Sequence, residues 1–286
     1  MYTEISFPAL GITLNPSTGF SVFGIEIRWY GVIIAFGLLL AVIYAMRRCK
    51  QFGFTQDDLI DGLLVTLPIA IIGARIYYCA FNWSVFADNP ISVLYIHQGG
   101  IAIYGSIIGA VIGILIIAKW KKINIFSILD LTSLGFLIGQ FVGRWGNFMN
   151  REAFGEETAS FLRMGLLNPE TGIVTYYHPT FLYESLWNFA GFLMLNAYYK
   201  RRKFDGEVAL LYTAWYGLGR AFIEGLRTDS LYIGATGIRV SQVLAAVSCV
   251  LAIGLLVWLR FLRKKPLPEL FVNRAATQKS TDLENR

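Results

Sequence analysis

The sequence is poor in charge, in cysteine and in histidine. Only 15% of its 286 residues are charged, while 55% are hydrophobic. An ordinary soluble domain carries about a quarter of its residues as charges, so that class is excluded. The three cysteines, Cys49, Cys79 and Cys249, are odd in number, widely spaced and without a CxxC pair. They do not make a disulfide framework. The two histidines, His97 and His178, stand far apart, which argues against a zinc site. The first twenty residues have no basic start and no apolar run, and they carry Pro8 and Pro16, so no signal peptide is expected.

What the chain does have is long apolar runs. Seven segments approach the roughly 20 residues that a bilayer-spanning helix needs: Trp29–Met46, Leu59–Ala80, Ile101–Ala118, Phe126–Trp145, Phe181–Tyr199, Val208–Gly225 and Val240–Phe261. The basic residues then fix an orientation. Arg47, Arg48 and Lys50 follow the first run, and Lys119, Lys121 and Lys122 follow the third. Lys200, Arg201, Arg202 and Lys203 follow the fifth, and Arg260, Arg263, Lys264 and Lys265 close the seventh. These alternate loops hold more than half of the 25 lysines and arginines and are expected to be cytoplasmic. The net charge of +6 is therefore a topology signal rather than a nucleic-acid patch.

The expected fold is all-α. It is a polytopic integral membrane protein of seven transmembrane helices, N-terminus outside and C-terminus cytoplasmic. Residues 1–265 form one transmembrane domain, and residues 266–286 a polar, disordered cytoplasmic tail. The outside loops Phe81–Gly100 and Asn147–Thr180 are long, and residues 147–180 are expected to form a small external cap with a turn at Asn168–Gly172. His97-Gln98-Gly99-Gly100 looks like a turn before the third span.

Given that topology, each intramembrane polar residue has a depth. Arg28, Tyr30, Arg75, Tyr104, Arg144, Asn147, Tyr183, Glu184, Arg220, Glu224, Arg227, Arg239 and Gln242 all fall in or near the outer half. Asp61 and Asp130 are the exceptions, read as helix-start or packing residues. The stretch Leu137–Gly155 begins as apolar helix and ends in a dense polar cluster containing Arg144, Asn147, Asn150 and Glu152. Charge at a membrane boundary is costly and points to function. In the sixth span Arg220, Glu224 and Arg227 share one helix face at steps of four and three. Alone they would read as an internal ion-pair ladder. With Arg75 and Arg144 at the same depth there are too few carboxylates to neutralise the arginines. The surplus positive charge suits a lipid phosphate. The glycines Gly73, Gly105, Gly109, Gly113, Gly135, Gly139 and Gly143, mostly at four-residue steps, read as helix-packing contacts.

These residues carry a resemblance. Gly143-Arg144-Trp145-Gly146-Asn147-Phe148-Met149-Asn150-Arg151-Glu152-Ala153-Phe154-Gly155 is similar to the GRxGNFxNxExxG signature of bacterial prolipoprotein diacylglyceryl transferases. Arg28-Trp29-Tyr30-Gly31, Gly73-Ala74-Arg75, Gly99-Gly100 through Tyr104-Gly105 and Gly109, and His178-Pro179-Thr180-Phe181-Leu182-Tyr183-Glu184 match further family segments in order. So do Gly219-Arg220 with Glu224 and Arg227, and Ser241-Gln242. Together they span Arg28 to Gln242. One residue departs from the pattern: Tyr104 stands where many members carry a histidine proposed as catalytic base, which speaks against a mechanism that requires imidazole at that position.

The resemblance implies transfer of the diacylglyceryl group of phosphatidylglycerol to the lipobox cysteine of a preprolipoprotein. A thioether forms and glycerol 1-phosphate leaves. It implies no metal and no cofactor, no nucleic acid, a monomer, and a site facing the extracytoplasmic leaflet of the bacterial plasma membrane. Arg144 and Arg220 are expected to flank the phosphate, with Asn147, Asn150, Gly155 and Arg75 also in the phosphatidylglycerol site. Glu152 would bind the headgroup or orient the arginines, and Glu224 would hold Arg220. Tyr30 or Tyr104 would accept or relay the thiol proton, although a phenol of pKa about 10 is a poor base unless tuned, so Tyr104 is expected to position rather than abstract. A transporter or channel is the rival reading. It calls for polar residues through both leaflets and a convincing inverted repeat, and the sequence has neither. An inactive lipid-binding relative is a second rival, and the retained Arg144, Asn147, Glu152, Arg220 and Glu224 speak against it.

Overall fold

A computed structural model of the chain describes residues 2–87, 89–95, 99–228, 230, 232 and 237–284, with side chains only as far as residue 277. His97 and Gln98 of the expected turn lie outside the described residues. The chain divides into two compact units, Met1–Tyr44 with Thr132–Leu267, and Ala45–Leu131 with Pro268–Arg286.

Each of the seven apolar segments lies on a long helix. These are α1 (Trp29–Arg48), α2 (Gln56–Phe81), α4 (Ile103–Trp120), α5 (Ile125–Asn150), α6 (Thr180–Tyr198), α7 (Glu207–Glu224) and α8 (Val240–Val257), with a short α3 (Trp83–Phe86) after α2. Five of them, α1, α2, α4, α5 and α8, are long and apolar enough to cross a membrane. The two that fall short, α6 and α7, carry Glu184, Asn188, Arg220 and Glu224 among their aromatic residues. Large apolar side chains point outward rather than inward. On α4, Ile107, Ile108, Val111, Ile112 and Leu115 are all exposed. A contiguous apolar exterior on this scale is suited to lipid.

In the first unit α1 begins on a β-hairpin, β3 (Gly19–Val22) and β4 (Ile25–Arg28), paired antiparallel from Gly19↔Arg28 to Val22↔Ile25. A second, four-stranded sheet has the order β2-β1-β5-β6, with β1 (Ile5–Phe7), β2 (Ile12–Leu14), β5 (Met164–Leu167) and β6 (Val174–Tyr177). Its core is Ile5, Met164, Leu166 and Phe181, with Phe148 and Phe154 packed against it. The chain is mostly helical, as expected, and the two small sheets depart from an all-α fold. The cap is a sheet, and residues 147–180 supply only half of it. The N-terminal segment supplies the other half through the Ile5↔Leu166 pairing.

The helices of this unit meet at glycines. A Cβ on Gly37 of α1 would sit 3.2 Å from Val142 of α5, and one on Gly217 of α7 would sit 2.7 Å from the Ala245 carbonyl of α8. Between α6 and α7 the space over Gly191 and Gly219 is filled by Trp215 and Trp187. The two indoles stack at 4.3 Å. Each donates its N–H to the other residue's carbonyl, at 2.9 and 3.0 Å. Two buried indole donors are thereby satisfied while locking α6 to α7.

In the second unit α2 starts with a capping box, Asp58 N–H donating to Thr55 Oγ1 at 3.2 Å and Thr55 N–H to Asp58 Oδ2 at 2.9 Å. Its contact with α4 runs along Gly73, Gly105, Gly109 and Gly113. A Cβ at Gly109 would lie 2.8 Å from Ala70 Cα, and one at Gly113 would lie 2.7 Å from Thr66 Cα. This is the close backbone approach that small residues at four-residue steps permit. Asp61 pairs with Lys121 at 2.5 Å, a role beyond helix start. The tail also departs from expectation. Composition makes residues 266–286 a disordered segment, yet Phe271–Glu284 is a helix, α9. Its first turn lies against the Gly53 turn, where a Cβ would meet Phe271 Cδ1 at 2.7 Å. Two apolar residues, Phe271 and Val272, are enough to dock a segment whose overall composition is polar.

Candidate active site

The last turns of α5 place Arg144 and Asn147 one turn apart, and the chain then makes a tight bend. Arg151 and Ala153 both have positive φ, 55° and 54°. Left-handed backbone at two non-glycine residues in three is strained, and it persists only where the surroundings hold it. Here the holder is Arg151, which donates to the Thr3 carbonyl at 2.8 Å, the Pro16 carbonyl at 2.6 Å and Asn15 Oδ1 at 3.2 Å. Burial pushes its guanidinium below the ordinary pKa. The bend returns Glu152 toward the helix. Its Oε1 accepts from Asn147 Nδ2 at 2.9 Å and from Asn150 Nδ2 at 3.4 Å. Asn147 Oδ1 in turn accepts from Arg144 Nη1 at 3.3 Å.

Glu184, in the first turns of α6, is the hub of the cluster. It is 3% exposed. Its Oε2 lies 2.5 Å from Arg144 Nη2, and its Oε1 lies 3.0 Å from Arg220 Nη1 and 3.3 Å from Arg227 Nη1. Arg220 reaches Glu224 Oε2 with its other terminal nitrogen, at 2.5 Å. Glu224 is held further by Ser230 Oγ at 2.9 Å, and its main-chain carbonyl accepts from Arg239. Arg239 also pairs with Glu156 at 3.0 Å. Among the described residues, the inner cluster thus sets the three arginines Arg144, Arg220 and Arg227 against the two carboxylates Glu184 and Glu224, an excess of one positive charge. Arg144 and Arg220 are its partly open members, with side chains 21% and 17% exposed. An arginine has five N–H donors, and the contacts of Arg144 to Glu184 and Asn147 leave donors for a ligand. Chemically the arrangement is a rigid, partly desolvated double fork that suits an anion with several oxygens.

The expected site residues of the first unit come together. Arg144, Asn147, Asn150, Glu152, Arg220 and Glu224 are joined as described. Tyr30 is beside them: its ring lies over Gly146, where a Cβ would come within 2.8 Å of Cδ2. Gly155 acts through the backbone. Its N–H donates to the His178 carbonyl at 2.9 Å and it bridges to Arg227, while a Cβ there would lie 2.7 Å from His178 Cβ. Arg75 belongs to the second unit, and its expected role in phosphate binding is corrected. All five of its N–H groups face carbonyls, those of Val93, Gly99 and Gly100 at 2.7 Å, Ser92 at 2.8 Å and Tyr95 at 3.5 Å. It is 6% exposed and clamps its own loop. Tyr104, also of the second unit, is half-exposed with its ring 6.2 Å from that of Tyr77. Glu184, Arg239 and Glu156 join the site without having been given a part in it by sequence, and Arg227, set by sequence on one face with Arg220 and Glu224, meets Glu184 there. Glu184 had a signal, being the lone carboxylate in an otherwise uncharged span.

Fold and cluster together define a helical membrane protein with a partly buried cluster of three arginines on two glutamates. A profile of the family described as prolipoprotein diacylglyceryl transferase matches residues 18–258. The phosphatidylglycerol–prolipoprotein diacylglyceryl transferase of Clostridium novyi (strain NT) is 42% identical over 248 residues, covering 85% of this chain and 95% of that protein. The protein of the same name from Bacillus cereus (strain Q1) is 44% identical over 233 residues, covering 79% and 86%. The chain belongs to the prolipoprotein diacylglyceryl transferase family.

Proposed function

We propose that this chain transfers the diacylglyceryl group of phosphatidylglycerol to the lipobox cysteine thiol of preprolipoproteins, in keeping with relatives named phosphatidylglycerol–prolipoprotein diacylglyceryl transferase. It works as a seven-span protein of the bacterial plasma membrane, with the capped end of the bundle at the extracytoplasmic leaflet. The observation that carries this reading is the cluster of three arginines on two glutamates. In the reaction a C–S bond forms at the glycerol carbon that bears the phosphate, and the C–O bond to phosphate breaks. The thiol proton departs and glycerol 1-phosphate leaves with the bonding pair. The leaving phosphate passes from one negative charge toward two. Fixed donors aimed at it are therefore worth more in the transition state than in the ground state.

Arg144 and Arg220 hold the phosphate oxygens. Glu184 and Glu224 fix their planes. Asn147, Asn150 and Glu152 receive the glycerol headgroup at the open edge. The same positive charge favours the thiolate, which is the attacking form. Tyr30, beside Gly146, hydrogen-bonds the thiol and relays its proton. The test is a transfer assay with the purified protein, acyl-labelled phosphatidylglycerol and a lipobox peptide, run beside the Cys-to-Ser peptide and the Arg144→Ala enzyme. Label on the cysteine peptide alone, lost with Arg144→Ala, is the expected result. No transfer under conditions where a relative is active overturns the reading.

A further inference from the structure

A narrow cleft between α6 and α7 begins at the arginine cluster and reaches one turn away from the cap. Asn188, Tyr216, Glu184 and Arg220 line it, with Trp187 and Gly219. Asn188 follows Glu184 by four residues on α6, and Tyr216 precedes Arg220 by four on α7. The cap is joined to the start of α6 and the end of α7, because Thr180 bonds the Ala153 carbonyl and Glu156 N–H bonds the Leu226 carbonyl. Four residues of helix rise about 6 Å. The main-chain positions of Asn188 and Tyr216 therefore lie about 6 Å further from the cap than those of Glu184 and Arg220. Asn188 is 2% exposed, and its Oδ1 has no hydrogen-bond partner among the described residues. A buried, unpartnered amide is costly, so its presence here calls for a partner that arrives with the ligand. The oxygen and nitrogen ends of the amide exchange by a half-turn of the side chain, so the same position offers an acceptor or an N–H donor.

We propose that Asn188, with Tyr216 lining the same cleft, receives an ester carbonyl of the diacylglyceryl group and so positions the carbon that is attacked. This rests on the reading of Arg144 and Arg220 as the phosphate site. A phospholipid held there by its phosphate extends its glycerol and first ester away from the cap. The ester carbonyl oxygen lies seven bonds of about 1.5 Å from a phosphate oxygen held by the forks, a zigzag long enough to reach past one helical turn of about 6 Å. Ester carbonyls accept hydrogen bonds and donate none, so the amide presents Nδ2 and the phenol its O–H. Because the ester sits next to the reacting carbon, holding it aligns that carbon with the incoming sulfur. Asn188 is thereby a selector for ester-linked over ether-linked lipid. A site built to hydrogen-bond a group discriminates strongly against the analogue that lacks it.

The experiment compares diester phosphatidylglycerol with its diether analogue of the same chain length, in detergent micelles with one lipobox peptide. The wild type is expected to favour the diester by about tenfold in kcat/KM, the scale of one lost hydrogen bond at a buried site. Asn188→Leu keeps the volume and removes the amide. It is expected to lower turnover on the diester and bring the ratio near one. Asn188→Ser, a smaller change, serves where Leu impairs folding and is expected to reduce the ratio in part. Equal rates of the wild type on both lipids overturn the proposal without any variant. So does an Asn188→Leu enzyme that slows on both lipids equally, which would place a peptide carbonyl, or packing alone, at this residue. Absence of transfer from either lipid by the wild type counts against the transferase reading and is thus a separate outcome.

Discussion

Replacing Arg144 by lysine keeps the charge and removes the fork. In the structure Arg144 spans two protein oxygens from its two terminal nitrogens, Glu184 Oε2 at 2.5 Å and Asn147 Oδ1 at 3.3 Å. It still has N–H groups left for phosphate. A lysine ammonium gathers its three donors at one point. It cannot hold Glu184 and Asn147 and also meet a phosphate oxygen along a fixed line. The most stabilising contact, that to Glu184, wins, and the phosphate loses one charge-assisted hydrogen bond. Such a bond contributes about 1.5–3 kcal/mol, and each 1.36 kcal/mol is about tenfold in rate, so the loss is on the order of 10- to 150-fold. Because the phosphate gains charge as it leaves, the loss falls mainly on kcat, with a smaller rise in KM. Steady-state transfer from labelled phosphatidylglycerol to a lipobox peptide measures both, and a thermal melt of the same preparation checks folding. A well-folded Arg144→Lys enzyme with kcat within about threefold of wild type refutes the fork argument, because a point charge would then suffice.

Gly155→Ala places a Cβ 2.7 Å from His178 Cβ and 2.8 Å from the Leu226 carbonyl, neither of which is a flexible tip. Overpacking of this kind costs about 1–3 kcal/mol, so the melting midpoint and the transfer rate should fall together, and an unchanged midpoint counts against the pinch described here. The Tyr177 phenol in the cap is pushed up to about 12 by burial and by its hydrogen bond to Tyr2. A raised folded-state pKa means the folded form keeps its proton where the unfolded chain, near pH 10, has lost it. That stabilisation is complete below about pH 10 and disappears as pH rises toward 12. Tyr177→Phe should therefore flatten the alkaline fall in melting temperature, and a curve parallel to wild type would assign the fall to other groups.

The residues of the site were more legible in sequence than their connections. Arg220 and Glu224 are one helical turn apart, so their pairing follows from spacing alone. Asn147, Asn150 and Glu152 are similarly close in sequence, and local geometry closes that group. Glu184 is different. It joins arginines 40, 36 and 43 residues away, on α5, α7 and the loop after α7. No local pattern carries that information, because it depends on how α5, α6 and α7 pack. Arg75 shows the opposite failure. Membrane depth placed it with the other arginines, but depth says nothing of direction, and five loop carbonyls take its donors. The N-terminal strands were invisible for a related reason. Three residues are too few for a period-two signal, and β1 finds its partner β5 about 160 residues away.

The balance of the inner cluster fits differential binding better than tight binding. Three arginines without carboxylates would repel one another and move apart in the absence of lipid. Three carboxylates would cancel the field and leave the phosphate nothing to gain. Two carboxylates do something else. Glu184 touches all three arginines and sets their spacing, and Glu224 holds Arg220 from the other side. The forks are therefore in place before substrate arrives, and little reorganisation remains for the chemical step. On the proposed reading, the positive charge that the inner cluster has in excess among the described residues is modestly satisfied by a phosphodiester carrying one negative charge. It is better satisfied by a phosphate on its way to carrying two. An interaction that grows along the reaction coordinate raises turnover, whereas one already complete in the ground state lowers only KM. On the proposed reading the buried carboxylates are as much a part of catalysis as the arginines they restrain.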